Sequence, residues 1–154
     1  VGLIISGGIR TGADVAKALA LGADAVSIGQ AALIALGCNN RCHHDGNDWV
    51  DVDDDYGQLE TAPGFCHHCH SGRCPVGIAT QDPDLERRLL PEVAAAWVKN
   101  YLQVLAMEVT TMARACGKSD VHHLEREDLV ALTVESAAMA GVPLAGTSWI
   151  PGAD

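Results

Sequence analysis

The sequence predicts an α/β fold: a parallel strand–helix–strand–helix unit, then a cysteine-rich loop region, then a helical tail. Three observations carry this. Two short apolar runs, GLIIS at 2–6 and DAVSI at 24–28, each lead into glycine, as buried parallel strands entering tight loops do. The stretch between them carries apolar residues at helical spacing. After Pro83 that spacing returns and holds for most of the remaining chain.

The first strand ends at Gly7-Gly8. Thr11 can cap the helix that follows, and Asp14, three residues on, suits its positive start. Val15, Ala18, Leu19 and Leu21 give this helix an apolar face, and Gly22 is expected to end it in a left-handed cap. The second strand, at 24–28, leads through Gly29-Gln30 into a second helix over 31–37. Connections of a few residues make this a parallel βαβ unit.

Residues 39–64 break the regularity. They hold Asp45, Asp48, Asp51, Asp53, Asp54, Asp55 and Glu60, with no Lys or Arg after Arg41, and predict a solvated loop. A calcium loop needs a mid-loop glycine and a closing glutamate, and neither stands in register. Further on, Pro91 suits a first helical position. Trp97, Tyr101, Leu105, Met112 and Cys116, widened by Leu102 and Val109, form a stripe read as core packing, with Cys116 a buried structural thiol. Gly117 stops that helix. Glu125 to Asp128 is expected to open another, with Leu129, Leu132, Ser136 and Met139 on one side. The turn-rich VPLAGTSWIPG closes the fold.

A net charge of −10 argues against nucleic acid or an anionic membrane as partner, since either needs a basic face. No apolar run approaches the roughly 18 residues of a membrane-spanning helix. Of six cysteines, five fall between Cys38 and Cys74. Their apolar, helix-rich surroundings and the C-x2-C-x4-C spacing favour reduced, metal-binding thiols in a cytosolic protein over disulfides.

Two places carry chemistry. At Ser6–Arg10 the backbone must turn sharply at a strand end and leave its N–H groups open to an anion, and both needs call for glycine. The helix start near Thr11 points its positive end into the same region, and Gly29-Gln30 offers a second set of amides. Arg10 either pairs with a phosphate or faces solvent. The second place is Cys66, Cys69 and Cys74, with Gly72, Pro75 and Gly77 permitting a tight turn. Thiolates select zinc or iron–sulfur clusters, and spacing alone does not choose between them. His43, His44, His67, His68 and His70 lie nearby in sequence and keep a zinc site open. No Ser-His-Asp or paired-carboxylate arrangement stands out.

The run GGIRTGADVAKALALGADAVSIG resembles the final βαβ unit of FMN- and nucleotide-binding barrels. CHSGRCPVGIATQDP resembles the cluster loop of the glutamate synthase family, and the likeness extends to RACGK and PLAGTSW in the tail. This resemblance implies the C-terminal portion of a (β/α)8 TIM barrel: its last two β/α units in 1–37, an acidic loop and cluster loop in 38–83, and a helical extension in 84–154. A whole barrel needs ~250 residues, so on this reading the chain is a C-terminal fragment, inactive alone.

The resemblance further implies that Gly7, Gly8, Gly29 and Gln30 hold an FMN phosphate, with Ser6 assisting and Arg10 a candidate. It implies that Cys38, Cys69 and Cys74 ligate a [3Fe–4S] cluster, with Cys66 available as a fourth ligand for [4Fe–4S]. In the typical family pattern the first two cysteines lie a few residues apart. Here the acidic loop separates them, so Cys42 or Cys66 could replace Cys38. In that family a cluster feeds electrons to FMN, and reduced flavin delivers hydride to 2-iminoglutarate, made from 2-oxoglutarate and ammonia or glutamine-derived nitrogen, yielding glutamate. The implied partners are an electron donor, either ferredoxin or an NAD(P)H-linked subunit, and an amidotransferase, all in the cytoplasm. Three other readings stand beside it: a flavin-only barrel oxidoreductase, an N-methylglutamate synthase subunit, and a non-enzymatic zinc-stabilised module.

Overall fold

A computed structural model describes residues 1–153; Asp154, at the end of the expected helical extension, lies outside the described residues. In chain order the elements are β1 (Ile4–Ser6), α1 (Gly12–Ala20), β2 (Ala25–Ser27), α2 (Gln30–Leu36), β3 (Cys42–His44), β4 (Trp49–Asp51), α3 (Asp53–Gln58), α4 (Pro83–Glu86), α5 (Pro91–Ala115) and α6 (Val134–Ala140). The fold is α/β, in two units: one holds residues 1–28 and 103–153, the other residues 29–102. Helix α5 contributes residues to both. Among the described residues no helix is long and apolar enough to cross a membrane.

In the first unit β1 and β2 pair in parallel, Ile4 opposite Ala25, Ile5 opposite Val26 and Ser6 opposite Ser27. The apolar face of α1 forms the core: Val15, Ala16, Leu19 and Ala20 are buried with Val109 and Ala113 of α5 and with Leu124. Helix α1 starts where Asp14 gathers donors. Its Oδ2 accepts from the Arg10 and Thr11 N–H groups, each at 3.1 Å, and from the Thr11 hydroxyl at 3.0 Å. The Lys17 ammonium, 3.0 Å away, together with those N–H groups holds the Asp14 carboxyl well below the usual carboxylate range. Gly12, the first residue of α1, sits against α5. A Cβ there would collide with that of Glu108 and lie 2.7 Å from the Val109 nitrogen and 2.8 Å from the Leu105 carbonyl oxygen.

In the second unit α2 ends at Gly37 in a left-handed cap, and β3 and β4 form an antiparallel hairpin with His43 opposite Val50. Its core is Val52, Tyr56 and Val76, with Cys66, Cys74 and Ile78 packed against them.

Three expectations are corrected. Residues 39–64 are not simply a solvated loop, because their acidic side chains serve as local acceptors. Asp45 Oδ1 takes the N–H groups of Asn47 and Asp48, both at 2.8 Å, and so folds the hairpin turn. Arg41 pairs with Asp51 and Asp53 at 3.2 and 2.6 Å, and Asp53 to Asp55 sit in the first turn of α3, where the helix end favours negative charge.

The helix expected from Glu125 is a single 3₁₀ turn at Arg126–Asp128. Ala131 then runs extended beside Leu144, donating to the Pro143 carbonyl and accepting from the Ala145 N–H at 2.8 Å each, so α6 starts only after Thr133 caps the Ser136 N–H. Leu132 and Met139 are exposed as a result. Finally, the α5 stripe is buried at Val109 but exposed at Leu102 and Met112. Cys116 is exposed too, because the helix has ended and the chain turns at Gly117 with φ +75°.

Replacing Gly12 by alanine is expected to destabilise the first unit by about 1–3 kcal/mol through overpacking, read as a lower denaturation midpoint. Asp14→Asn should cost roughly 1 kcal/mol at neutral pH through the weakened helix start. Because folding lowers the Asp14 pKa, its contribution is complete above the ordinary carboxylate range. It should fade as pH falls below that range, so the two proteins' stabilities converge in acid.

Candidate functional site

Ser6 ends β1 beside Ser27 of β2, so the parallel pair finishes level. Gly7 and Gly8 follow with φ of +99° and +73°, the left-handed region that glycine enters without penalty, and a Cβ at either would meet nothing within 4 Å. This is bare backbone that an anion can approach. The start of α1 is different. Arg10 and Thr11 N–H groups are taken by Asp14, and the Gly12 N–H donates to Glu108 Oε2 at 2.7 Å. Carboxylates thus occupy the amides expected to face an anion, and the glycine turn is the part left to meet one. Arg10 is exposed. In the second unit Gly29 precedes α2 and Gln30 is its first residue; Gly29 has φ −116° and ψ −83°, outside the left-handed region that Gly7 and Gly8 occupy.

The cysteines form the second site. All six are free thiols. Cys38 directly follows the Gly37 cap, its N–H bonded to the Leu33 carbonyl at 2.9 Å. Asn39, next in the chain, has φ +63°. Its Oδ1 accepts from the Cys66 N–H at 2.7 Å, its Nδ2 donates to the Cys66 carbonyl at 3.1 Å, and the same Nδ2 lies 3.7 Å from Cys38 Sγ. Cys69 opens a 3₁₀ turn and is exposed. Cys74 precedes Pro75, which is fully buried and whose carbonyl accepts from Arg88 Nη1 at 2.7 Å; that guanidinium also pairs with Asp55 at 2.7 Å.

Burial pushes the Cys38 thiol up, and the neighbouring charges of Cys69, Cys74 and Cys66 push it further. Each of these three thiols thus acts on Cys38. Cys42 lies on β3 opposite Asp51.

Tyr56 lies beneath. It is 1% exposed, packs with Cys66 and Cys74, and donates from its hydroxyl to the Asn40 carbonyl at 2.9 Å. Burial, then the charges of Cys66, Cys74 and Cys38, raise its phenol above the ordinary range. Among the described residues no three His, Cys, Asp or Glu side chains are grouped closely enough to hold one metal ion. His67, His68 and His70 make ring contacts with one another at 4.5 and 5.9 Å, and the His44 ring accepts from the Gly46 N–H at 3.0 Å.

Sequence reasoning missed Asn39, Tyr56, Arg88 and Glu108. Tyr56 left a signal, as one of two aromatics (with Trp49) inside an acidic run, and so did Asn39, as a turn-forming residue directly after a cysteine.

Comparison with known proteins bears on what this arrangement is. The pattern described as a conserved region in glutamate synthase matches residues 1–49 and 62–119. The chain belongs to the glutamate synthase family. It is 56% identical over 152 residues to a "Glutamate synthase large subunit-like protein" of Rhizobium meliloti (strain 1021), covering 99% of this chain and 32% of the relative. It is 38% identical over 151 residues to an "Archaeal-type glutamate synthase [NADPH]" of Thermotoga neapolitana, covering 96% and 25%. It is 37% identical over 150 residues to an "Archaeal glutamate synthase [NADPH]" of Methanocaldococcus jannaschii, covering 95% and 24%. The chain thus spans a quarter to a third of the length of these glutamate synthase relatives. No solved structure matches it. The glutamate synthase pattern passes over residues 50–61, the segment that carries Val52 and Tyr56.

Tyr56→Phe should cost about 1 kcal/mol, for the lost hydroxyl bond. Tyr56→Ala should cost about 3–5 kcal/mol and open a cavity against the thiols. Peptide mapping after alkylation is expected to show Cys66 and Cys74 reacting faster in the alanine variant than in the phenylalanine one.

Proposed function

We propose that this chain is the part of an FMN and iron–sulfur glutamate synthase that grips the flavin phosphate and carries the cluster thiolates. It comprises the last two β/α units of a (β/α)8 barrel (1–37), the cluster-loop region (38–83) and a helical extension (84–154). The observation that carries the reading is that Asn39 ties the Cys66 backbone to the Cys38 sulfur while Cys66 and Cys74 pack on one apolar patch, although the acidic segment separates Cys38 from the other two.

The donor set fits a cluster. Four thiolates are the usual ligands of iron–sulfur centres. We assign Cys38, Cys69 and Cys74 as ligands of a [3Fe–4S] centre, with Cys66 as the fourth ligand for [4Fe–4S]. The Gly7-Gly8 turn fits a phosphate, since its backbone is open and its conformation needs glycine.

When bound, the flavin supplies hydride chemistry and the cluster supplies single electrons. The chain's own residues position and shield. Gly7 and Gly8, assisted by Ser6, present amides to the phosphate, and Gly29 and Gln30 are assigned to it on the family resemblance alone. Asp14 and Glu108 close the start of α1, so the anion meets the glycine turn rather than the helix end. Val52, Tyr56 and Val76 keep water from one side of the thiols. No residue here is assigned as acid, base or nucleophile.

The activity is proposed for a protein of the relatives' length: reduction of 2-iminoglutarate, formed from 2-oxoglutarate and ammonia, to glutamate in the cytoplasm. An NADPH-linked donor is proposed on the names of two relatives, with an amidotransferase partner supplying the nitrogen.

Purified intact, the protein should be brown, contain iron, acid-labile sulfide and FMN, and form glutamate from 2-oxoglutarate and ammonium with a reduced donor. A yellow protein without iron would leave flavin chemistry alone, and a colourless one loosened by a chelator would favour the zinc-stabilised module. Gly8→Val should lower flavin content while iron per chain stays unchanged.

A further inference from the structure

The acidic excursion poses a mechanical problem: residues 39 and 66 stand 27 positions apart, yet one carboxamide touches both the Cys38 sulfur and the Cys66 backbone. We propose that Asn39 is the positioning residue that solves it, clamping Cys66 beside Cys38 and donating its amide to the Cys38 sulfur. This rests on the cluster reading above.

Both ends of the Asn39 carboxamide engage one residue's backbone: Oδ1 accepts from the Cys66 N–H at 2.7 Å and Nδ2 donates to the Cys66 carbonyl at 3.1 Å. A donor facing a donor is forbidden, so this pairing fixes which end is oxygen and leaves an N–H on Nδ2 for Cys38 Sγ at 3.7 Å. The backbone joins in, since the Asn39 carbonyl accepts from the Gly64 N–H at 3.1 Å. The left-handed φ of +63° is one that asparagine enters more readily than other side-chain-bearing residues.

Each alternative side chain fails on a stated point. Aspartate keeps the acceptor but loses both donated bonds. Glycine keeps the backbone and loses the clamp. A hydrogen bond to a cluster-ligating sulfur favours the more negative, reduced state and raises the potential. Asn39 therefore holds the ligand set together and sets its redox poise.

The test compares intact wild-type protein with Asn39→Gly and Asn39→Asp. Asn39→Gly should lose iron to a chelator about tenfold faster, the scale for residues that orient metal ligands. The midpoint potential of the cluster that remains, read by electron paramagnetic resonance, should be lower. Asn39→Asp keeps the bond to the Cys66 N–H, so its iron retention should be intermediate and its potential again below wild type. In iron-free protein a short bifunctional thiol reagent should join Cys38 to Cys66 several-fold more slowly in Asn39→Gly than in wild type. Wild-type iron retention, potential and cross-linking in Asn39→Gly would overturn the proposal. A wild-type protein that holds no iron overturns the cluster reading and the redox part with it; the cross-linking rate then decides the clamp.

Discussion

Two hydrogen bonds between the Asn39 carboxamide and the Cys66 backbone close the excursion between residues 39 and 66 of the second unit. Closing a loop costs entropy that grows only slowly with length, about 0.6 kcal/mol per doubling, so an excursion of this size is tolerable when it brings its own packing. This one does. The β3–β4 hairpin turns on Asp45, α3 follows at once, and Tyr56 reaches into a core shared with Val76 and two of the cysteines. Cys66 and Cys74 rest on a small hydrophobic floor to which this segment gives Val52 and Tyr56.

The first unit shows the opposite economy. Its short parallel strands and α1 are held by one apolar seam, Val15, Ala16, Leu19 and Ala20 against Val109 and Ala113. Gly12 lets the start of α1 approach α5 so closely that the Glu108 carboxylate takes its N–H. With Asp14 holding the two preceding amides, the positive end of the helix is neutralised by the protein itself. The Gly7-Gly8 turn, by contrast, keeps its backbone open.

The βαβ unit was legible because its signals are local: glycine at the strand ends, helical spacing between them, and Thr11 with Asp14 at the helix start. The start of α5 at Pro91 was legible for the same reason. The cysteines announced themselves by spacing, although the sequence did not say which of Cys38, Cys42 and Cys66 would stand together. What remained hidden was long-range or ambiguous in sign. Glu108 and Gly12 are 96 positions apart, and no local pattern joins them. The acidic run reads as solvated on charge alone, yet its aspartates spend that charge on nearby amides and on Arg41. The stretch at 125–133 reads as helical by period, but the bonds of Ala131 to Pro143 and Ala145 draw it out straight.

Arg88 ties two histories together. One guanidinium nitrogen grips both Asp55, from the segment the family pattern omits, and the carbonyl of Pro75, from the segment it keeps. A lineage that shed residues 50–61 would strand this cation, half-sunk and without its counter-charge, against the most constrained turn of the loop. Excising that stretch therefore calls for a change at position 88 as well, because a half-buried cation left without its partner is costly.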